Sequence, residues 1–145
     1  YLQNCVKESL RMYPPLIMLM RKAMRDVECD DKGRKFIIPE GDIVVTSPAV
    51  TGMMESVHGP DAKQFNPDRF ETMAQKPKYS FVGFGGGRHA CMGQQFGLLQ
   101  VVTLVSVLLR SYKFETIGDK FPDPDYTAMV VGPKDNTRVR YSKIA

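Results

Sequence analysis

The stretch Phe84-Gly85-Gly86-Gly87-Arg88-His89-Ala90-Cys91-Met92-Gly93 holds one cysteine among four glycines, just ahead of a long apolar run. Gly85, Gly86, Gly87 and Gly93 permit backbone conformations with φ > 0 and a close approach to a flat ligand. A cysteine placed just before a helix meets free amide hydrogens and the positive end of the helix dipole, which favour a thiolate. A thiolate held in a tight, amide-rich loop is suited to ligating haem iron through sulfur, and its push of electron density favours O–O cleavage. A lone free cysteine is more often a small buried hydrophobe. The four glycines shift that balance, because a plain connector does not need their conformational cost.

The same loop carries a competing pattern. Gly85-x-Gly87-x-x-Ala90 matches the G-x-G-x-x-A fingerprint of a dinucleotide-binding turn, with Tyr79 to Val82 as the strand before it and Glu115 as the ribose acid. That reading leaves Cys91 and Gly93 without a task, and the repeated strand-helix-strand pattern it requires is missing.

Other residues support the loop. Glu8 and Arg11 lie three apart on one helix, off its apolar stripe, so they face either water or a separate layer. Arg69, in Asn66-Pro67-Asp68-Arg69-Phe70, could join them as a structural triad that pins the segment to the helix. Arg88 and His89 flank the cysteine where a cofactor bearing carboxylates would want donors. Arg21 either snorkels or forms a second carboxylate clamp. Leu16, Ile17, Met18, Leu19 and Met20 make an apolar wall, read equally as core or as an adaptable ligand lining, and Met129 could extend it. His58 is assigned no role.

The elements that must position these residues follow from the pattern. Leu2, Cys5, Val6, Leu10 and Tyr13 give a helix over residues 1–13, ended by Pro14-Pro15. Leu16 to Met20 is a strand or an extended wall. Val27 to Ile38 is a hairpin around Asp30-Asp31-Lys32-Gly33, Pro39 to Asp42 a turn, and Ile43 to Ser47 a strand. Ala49 to Val57 is a short helix with Pro48 in its first turn. Residues 59–79 form an ordered meander anchored by Phe65, Phe70 and Tyr79. Gln94 to Tyr112 is a helix apolar nearly all round, hence buried on several sides. Phe114 to Ile117 is a strand, and Ala128 to Val131 pairs with Arg138 to Ser142 across Gly132-Pro133-Lys134-Asp135-Asn136 as a terminal hairpin.

The chain of 145 residues, 43% hydrophobic and 25% charged, is enough for one domain with a core. A net charge of +4, with scattered basic residues, does not point to nucleic acid. Three cysteines at irregular spacing suit a reducing compartment and no zinc site. The apolar run from Phe96 to Leu109 is shorter than the roughly 20 residues of a membrane span. Because the chain opens at Tyr1 inside a helical pattern, it reads as a piece of something larger.

Together these residues resemble the haem-thiolate monooxygenases, the cytochromes P-450. Phe84 to Gly93 is similar to their cysteine-ligand loop, Glu8-x-x-Arg11 to their E-x-x-R, and Pro67-Asp68-Arg69-Phe70 to their P-E-R-F-type segment, with aspartate for glutamate. His89, where many members carry arginine, resembles the sterol 14-alpha-demethylase subgroup. So do Pro14-Pro15-Leu16 through Arg21, Ser47-Pro48, and Pro124 to Met129. The resemblance implies an α+β chain, the C-terminal part of the mainly helical P-450 fold, with residues 1–145 a portion of a single monooxygenase domain. It implies haem b (iron protoporphyrin IX) with Cys91 as axial ligand, and Arg21, Phe84, Gly85, His89 and Gly93 around the cofactor. Leu16, Met18, Met20, Thr127 and Met129 would touch a sterol. The implied reaction is oxidative removal of a 14-alpha methyl group, with molecular oxygen and electrons from a flavin-containing NADPH reductase. That reductase would meet a basic face near Lys76, Lys78 and Arg88. The implied setting is the cytosolic face of the endoplasmic reticulum membrane, through an anchor outside these residues. Alone, the chain is expected to be inactive and poorly folded; the alternatives are a noncatalytic haem-binding module and the dinucleotide reading above.

Overall fold

A computed structural model describes residues 1–118, 120–134 and 137–144. Helix α1 (Leu2–Met12) ends where Tyr13 leaves helical geometry at φ −130° and ψ 67°, directly before the two prolines. Its apolar residues Leu2, Cys5, Val6 and Leu10 are only half-buried, whereas Glu8 and Arg11 on the same helix are 0% and 2% exposed.

Strand β1 (Leu19–Lys22) follows the prolines. Strands β2 (Val27–Asp31) and β3 (Arg34–Ile38) form the expected hairpin. Its two turn residues, Lys32 and Gly33, have φ of 53° and 90°, the left-handed pair that matches strand twist. Strand β4 (Ile43–Thr46) returns to pair antiparallel with β1, with Arg21 opposite Val44. The helix expected over Ala49 to Val57 is two short helices, α2 (Pro48–Thr51) and α3 (Glu55–His58). They part at Gly52, whose carbonyl is taken by Arg11 Nη1 and which is packed so closely on the Arg11 carbonyl that a Cβ would collide. Ser47 caps α2, accepting from Val50 N at 3.3 Å while donating to the Ile17 carbonyl at 2.7 Å.

The meander contains 3₁₀ turns at Pro67–Phe70 and Met73–Gln75. Of its expected aromatic anchors, Phe70 packs inward while Phe65 and Tyr79 stay exposed. Phe70, Phe81 and Phe84 form an edge-to-face series, with centroids 5.1 and 6.5 Å apart, that carries the meander into the glycine loop.

Helix α4 (Gln94–Ser111) runs directly into β5 (Tyr112–Thr116). The terminal hairpin forms differently from expectation. Strand β6 (Pro124–Asp125) pairs with β7 (Gly132–Pro133), while β8 (Val139–Lys143) pairs with β5. Aromatic contacts favour the second pairing: Tyr112 meets Tyr141 edge-on at 5.5 Å, and Ile144 N donates to the Ser111 carbonyl at 2.9 Å. Asp135 and Asn136 of the expected turn lie outside the described residues.

The expected burial of α4 is not seen. Leu98 is 3% exposed, but Phe96, Leu99, Leu104 and Val107 are all more than half exposed. A helix apolar on all sides needs neighbours on all sides; among the described elements α1 packs on α4, leaving a groove of about 420 Å³ lined by Gln3, Gln95, Phe96, Leu98, Leu99 and Val102. Among the described residues the buried apolar side chains are Ala23, Ala62, Leu98 and the prolines Pro14, Pro48 and Pro67, beside the buried polar Glu8, Arg11, His58 and Arg69. The best-buried centre of the structure is therefore ionic. No helix among the described residues is long and apolar enough to cross a membrane.

Candidate functional site

The glycine loop is closed at its neck by the Cys91 amide donating to the Phe84 carbonyl at 2.8 Å. Gly85 N donates to Val82 O at 2.9 Å and Ala90 N to Gly87 O at 3.2 Å, the second bond closing a 3₁₀ turn over Gly87–His89. Gly85 and Gly87 use left-handed φ, 71° and 63°. Gly86 and Gly93 do not: at φ −168° and −83° they have ordinary backbone geometry. Gly86 is needed for space instead, since a Cβ there would lie 2.8 Å from the Tyr79 ring. A Cβ on Gly93 would make only an ordinary 3.9 Å contact with Cys91 Sγ.

Cys91 is a free, exposed thiol. Its carbonyl accepts from Gln94 N at 3.3 Å, so it leads into α4 two residues before the Gly93 cap. The bonds that close the loop run backbone to backbone, and among the described residues no hydrogen bond ends on Cys91 Sγ. A chain segment this tight uses its amides to hold its own shape, which leaves the sulfur open to a ligand.

Arg21 lies on β1, exposed, with Nη1 donating to the Met20 carbonyl at 2.7 Å. His89 is exposed in the 3₁₀ turn. Neither forms an ion pair among the described residues. Leu16, Met18 and Met20 are exposed, as are Thr127 and Met129. The Val131 amide donates to the Pro15 carbonyl at 2.9 Å and so brings the two apolar segments together. Thr127 Oγ1 is engaged by Asp125 Oδ1 at 2.7 Å.

The structure brings Glu8, Arg11 and Arg69 into one buried layer. Glu8 Oε1 accepts from Arg11 Nη2 at 2.7 Å, Asn66 N at 2.9 Å and Arg69 Nε at 2.9 Å, and Oε2 accepts from Arg11 Nε at 2.7 Å. Arg11 Nη1 donates to the carbonyls of Gly52 and, at 2.7 Å, Ala62. Arg69 donates to the carbonyls of His58 and Asp61, both at 3.0 Å, and to Asp61 Oδ2 at 3.0 Å. Burial alone would raise the Glu8 carboxyl; donation from Arg11, the Asn66 amide and Arg69 outweighs it and holds the group below its ordinary value. Asp61, hydrogen-bonded by Asn66 and Arg69, is also lowered.

Sequence reasoning missed three residues. Asp61 completes the layer, and only the Asp-rich composition of the meander hints at it. His58, given no role, is 4% exposed, and its Nε2 has no hydrogen-bond partner among the described residues. Burial and the charges of Arg11 and Arg69 depress its pKa. Tyr79, read only as an anchor, lies against the glycine loop.

The dinucleotide reading does not survive. Tyr79 has a left-handed φ of 68° and no strand among the described residues spans 79–82; a 3₁₀ turn opens at Gly87, and the long helix starts only at Gln94, beyond Ala90. Glu115 sits on β5 beside Lys113 and Arg140, and the sheets described are two-stranded and antiparallel.

The donor set fits haem. Among the described residues no three His, Cys, Asp or Glu side chains gather into a metal cage; Cys91 offers one accessible sulfur, the requirement of an iron that brings its own macrocyclic nitrogens. This is a glycine-rich loop bearing one exposed cysteine, set on an α+β chain with an E-x-x-R helix. Residues 1–140 match the family model for Cytochrome P450. The chain is 40% identical over 98% of its length to obtusifoliol 14-alpha demethylase of Triticum aestivum, covering 32% of that protein. It is 41% identical over 98% of its length to sterol 14-demethylase of Arabidopsis thaliana, covering 30% of it. The solved structure of retinoic acid-bound cyanobacterial CYP120A1 superposes with a TM-score of 0.85 at 27% identity, over 99% of this chain and 32% of that one. The chain belongs to the cytochrome P450 family. It spans about 30% of the length of the curated relatives it matches.

Proposed function

We propose that these residues are the C-terminal portion of a single haem-thiolate monooxygenase domain that removes the 14-alpha methyl group of a sterol oxidatively. The observation that carries this is the bare Cys91 thiol on its closed glycine loop, in a chain that shares 40–41% identity with two plant sterol demethylases. Cys91 would hold the iron of haem b. Phe84, Gly85 and Gly93 would line the cofactor face, and Arg21 and His89 would pair with its carboxylates. When bound, haem supplies the oxygen chemistry, and thiolate ligation favours O–O cleavage.

Leu16, Met18, Met20, Thr127 and Met129 would orient the sterol. The hydrogen bond joining Val131 to Pro15 supports their acting as one wall. Lys76, Lys78 and Arg88, all exposed, would receive an acidic, flavin-containing NADPH reductase; reduction that is insensitive to salt would rule this out. The proposed location is the cytosolic face of the endoplasmic reticulum, held by a segment outside these residues.

The test is turnover of the intact haem-loaded protein with obtusifoliol, oxygen, NADPH and reductase. The expected product is the sterol lacking its 14-alpha methyl; oxygenation elsewhere on the ring with that methyl retained would contradict the assignment. For the 145 residues alone we propose no turnover, on the ground that α4 is exposed along most of its length. A cooperative melt with stoichiometric haem uptake by this chain would contradict the view that it is incomplete.

A further inference from the structure

Pro77, Lys78, Tyr79 and Ser80 make a tight turn closed by Ser80 N and Ser80 Oγ, which donate to the Pro77 carbonyl at 3.1 and 2.7 Å. Tyr79 occupies its third position with φ 68°. Left-handed geometry there is what glycine provides at no steric cost, and a bulky aromatic residue in it is an outlier. A strained residue beside a functional loop invites the question of what its side chain does.

The Tyr79 ring lies against the glycine loop. A Cβ built on Gly86 would fall 2.8 and 3.0 Å from ring carbons, and one on Gly87 would fall 3.9 Å from the hydroxyl. The ring therefore occupies the space that a side chain at Gly86 would take, and its hydroxyl borders Gly87 at ordinary contact distance. Lys78 Nζ stands 5.1 Å from the ring centroid, a cation–π contact that favours this placement. Gly86 and Gly87 form the arm of the loop whose neck is the Cys91–Phe84 hydrogen bond. Among the described residues no hydrogen bond ends on the sulfur itself, so the position of Sγ depends on how firmly that arm is held.

We propose that Tyr79 is a positioning residue for Cys91: its ring braces the Gly86–Gly87 arm and so keeps the sulfur placed for its ligand. The strained turn is tolerated because glycine at that position would be unable to press on the arm. This rests on the thiolate-ligand reading of Cys91.

The test compares Tyr79→Gly and Tyr79→Phe in the intact haem-loaded protein. It reads the red-shifted Soret band of the reduced carbon-monoxide complex together with the melting temperature. Tyr79→Gly relieves the left-handed strain, so its melting temperature should hold or rise. Its red-shifted band should nevertheless decay to the unshifted form about tenfold faster. Tyr79→Phe keeps the ring and should behave as the unmodified protein. Gly86→Ala pushes on the ring from the other side and should speed the same decay with Tyr79 intact.

A red-shifted band equally long-lived in Tyr79→Gly overturns the proposal. If Tyr79→Gly fails to fold, an unchanged decay in Gly86→Ala overturns it and a faster one supports it. An unmodified protein with no red-shifted band contradicts the ligand assignment of Cys91 and takes the proposal with it. A normal band insensitive to Tyr79 removes only the brace.

Discussion

Around Glu8 both carboxylate oxygens are engaged by donors from Arg11 on its own helix and from Asn66 and Arg69 of the meander, whereas around Cys91 the residue is exposed and the bonds belong to the backbone. Both regions are signalled by short motifs, yet they solve opposite problems. The Glu8 layer takes charge out of water and must satisfy it completely, since an uncompensated buried charge costs several kcal/mol. The Cys91 loop must keep a reactive atom available, so it spends left-handed glycines on holding its own shape. Ions tie the meander to α1, and the loop that follows it leaves its cysteine exposed.

The largest expected break comes from Glu8→Ala, which leaves the buried Arg11 guanidinium without a carboxylate and Arg69 with Asp61 alone. Urea unfolding of the intact protein should show a loss of about 3–5 kcal/mol. Leu98→Ala empties the one buried leucine found among the described residues and should cost about 2–5 kcal/mol in the same assay. If it clearly exceeded Glu8→Ala, apolar packing rather than the ionic layer would dominate. In the loop, Gly85→Ala forces a side chain into φ 71° and should cost about 1–2 kcal/mol. Gly93→Ala, at φ −83°, should stay within about 0.5 kcal/mol. A reversed order would show that the loop glycines serve something other than conformation.

Acid should sharpen the contrast further. His58 is neutral in the fold with its pKa lowered by burial and by Arg11 and Arg69, so the unfolded chain binds the extra proton. Its contribution is fully present above the unfolded value near 6.5 and is lost as pH falls below it, by up to about tenfold in the unfolding equilibrium per pH unit. The lowered carboxyls of Glu8 and Asp61 act lower down: their contribution is present above the ordinary carboxylate range of about 4 and is lost as pH falls through the folded values. Melting temperature against pH should therefore show two limbs, and His58→Gln should flatten the upper one alone.

What was legible in the sequence was local or carried by fixed spacing. The cysteine loop lies within ten residues, Glu8 and Arg11 share a helix face, and Arg69 sits in a recognisable turn with a proline at its start. The hairpin around Lys32 and Gly33 was also readable, because its turn residues dictate it. Pairings between distant segments were not. The choice of β5 by β8 depends on Tyr112 meeting Tyr141, and alternation within either strand cannot reveal that. The burial of His58 depends on Arg69 reaching back to its carbonyl, and the space claimed by Tyr79 only becomes visible once Gly86 is placed beside it. The apolar pattern of α4 predicts neighbours on several sides, but it does not say which segments supply them, and among the described residues much of the helix is exposed.

The most direct test of the central claim is the Soret spectrum of the intact haem-loaded protein, reduced under carbon monoxide, with and without Cys91→Ala. Ligation through sulfur predicts a strongly red-shifted band in the unmodified protein and its loss in the variant. A shifted band that survives removal of that sulfur would contradict the assignment.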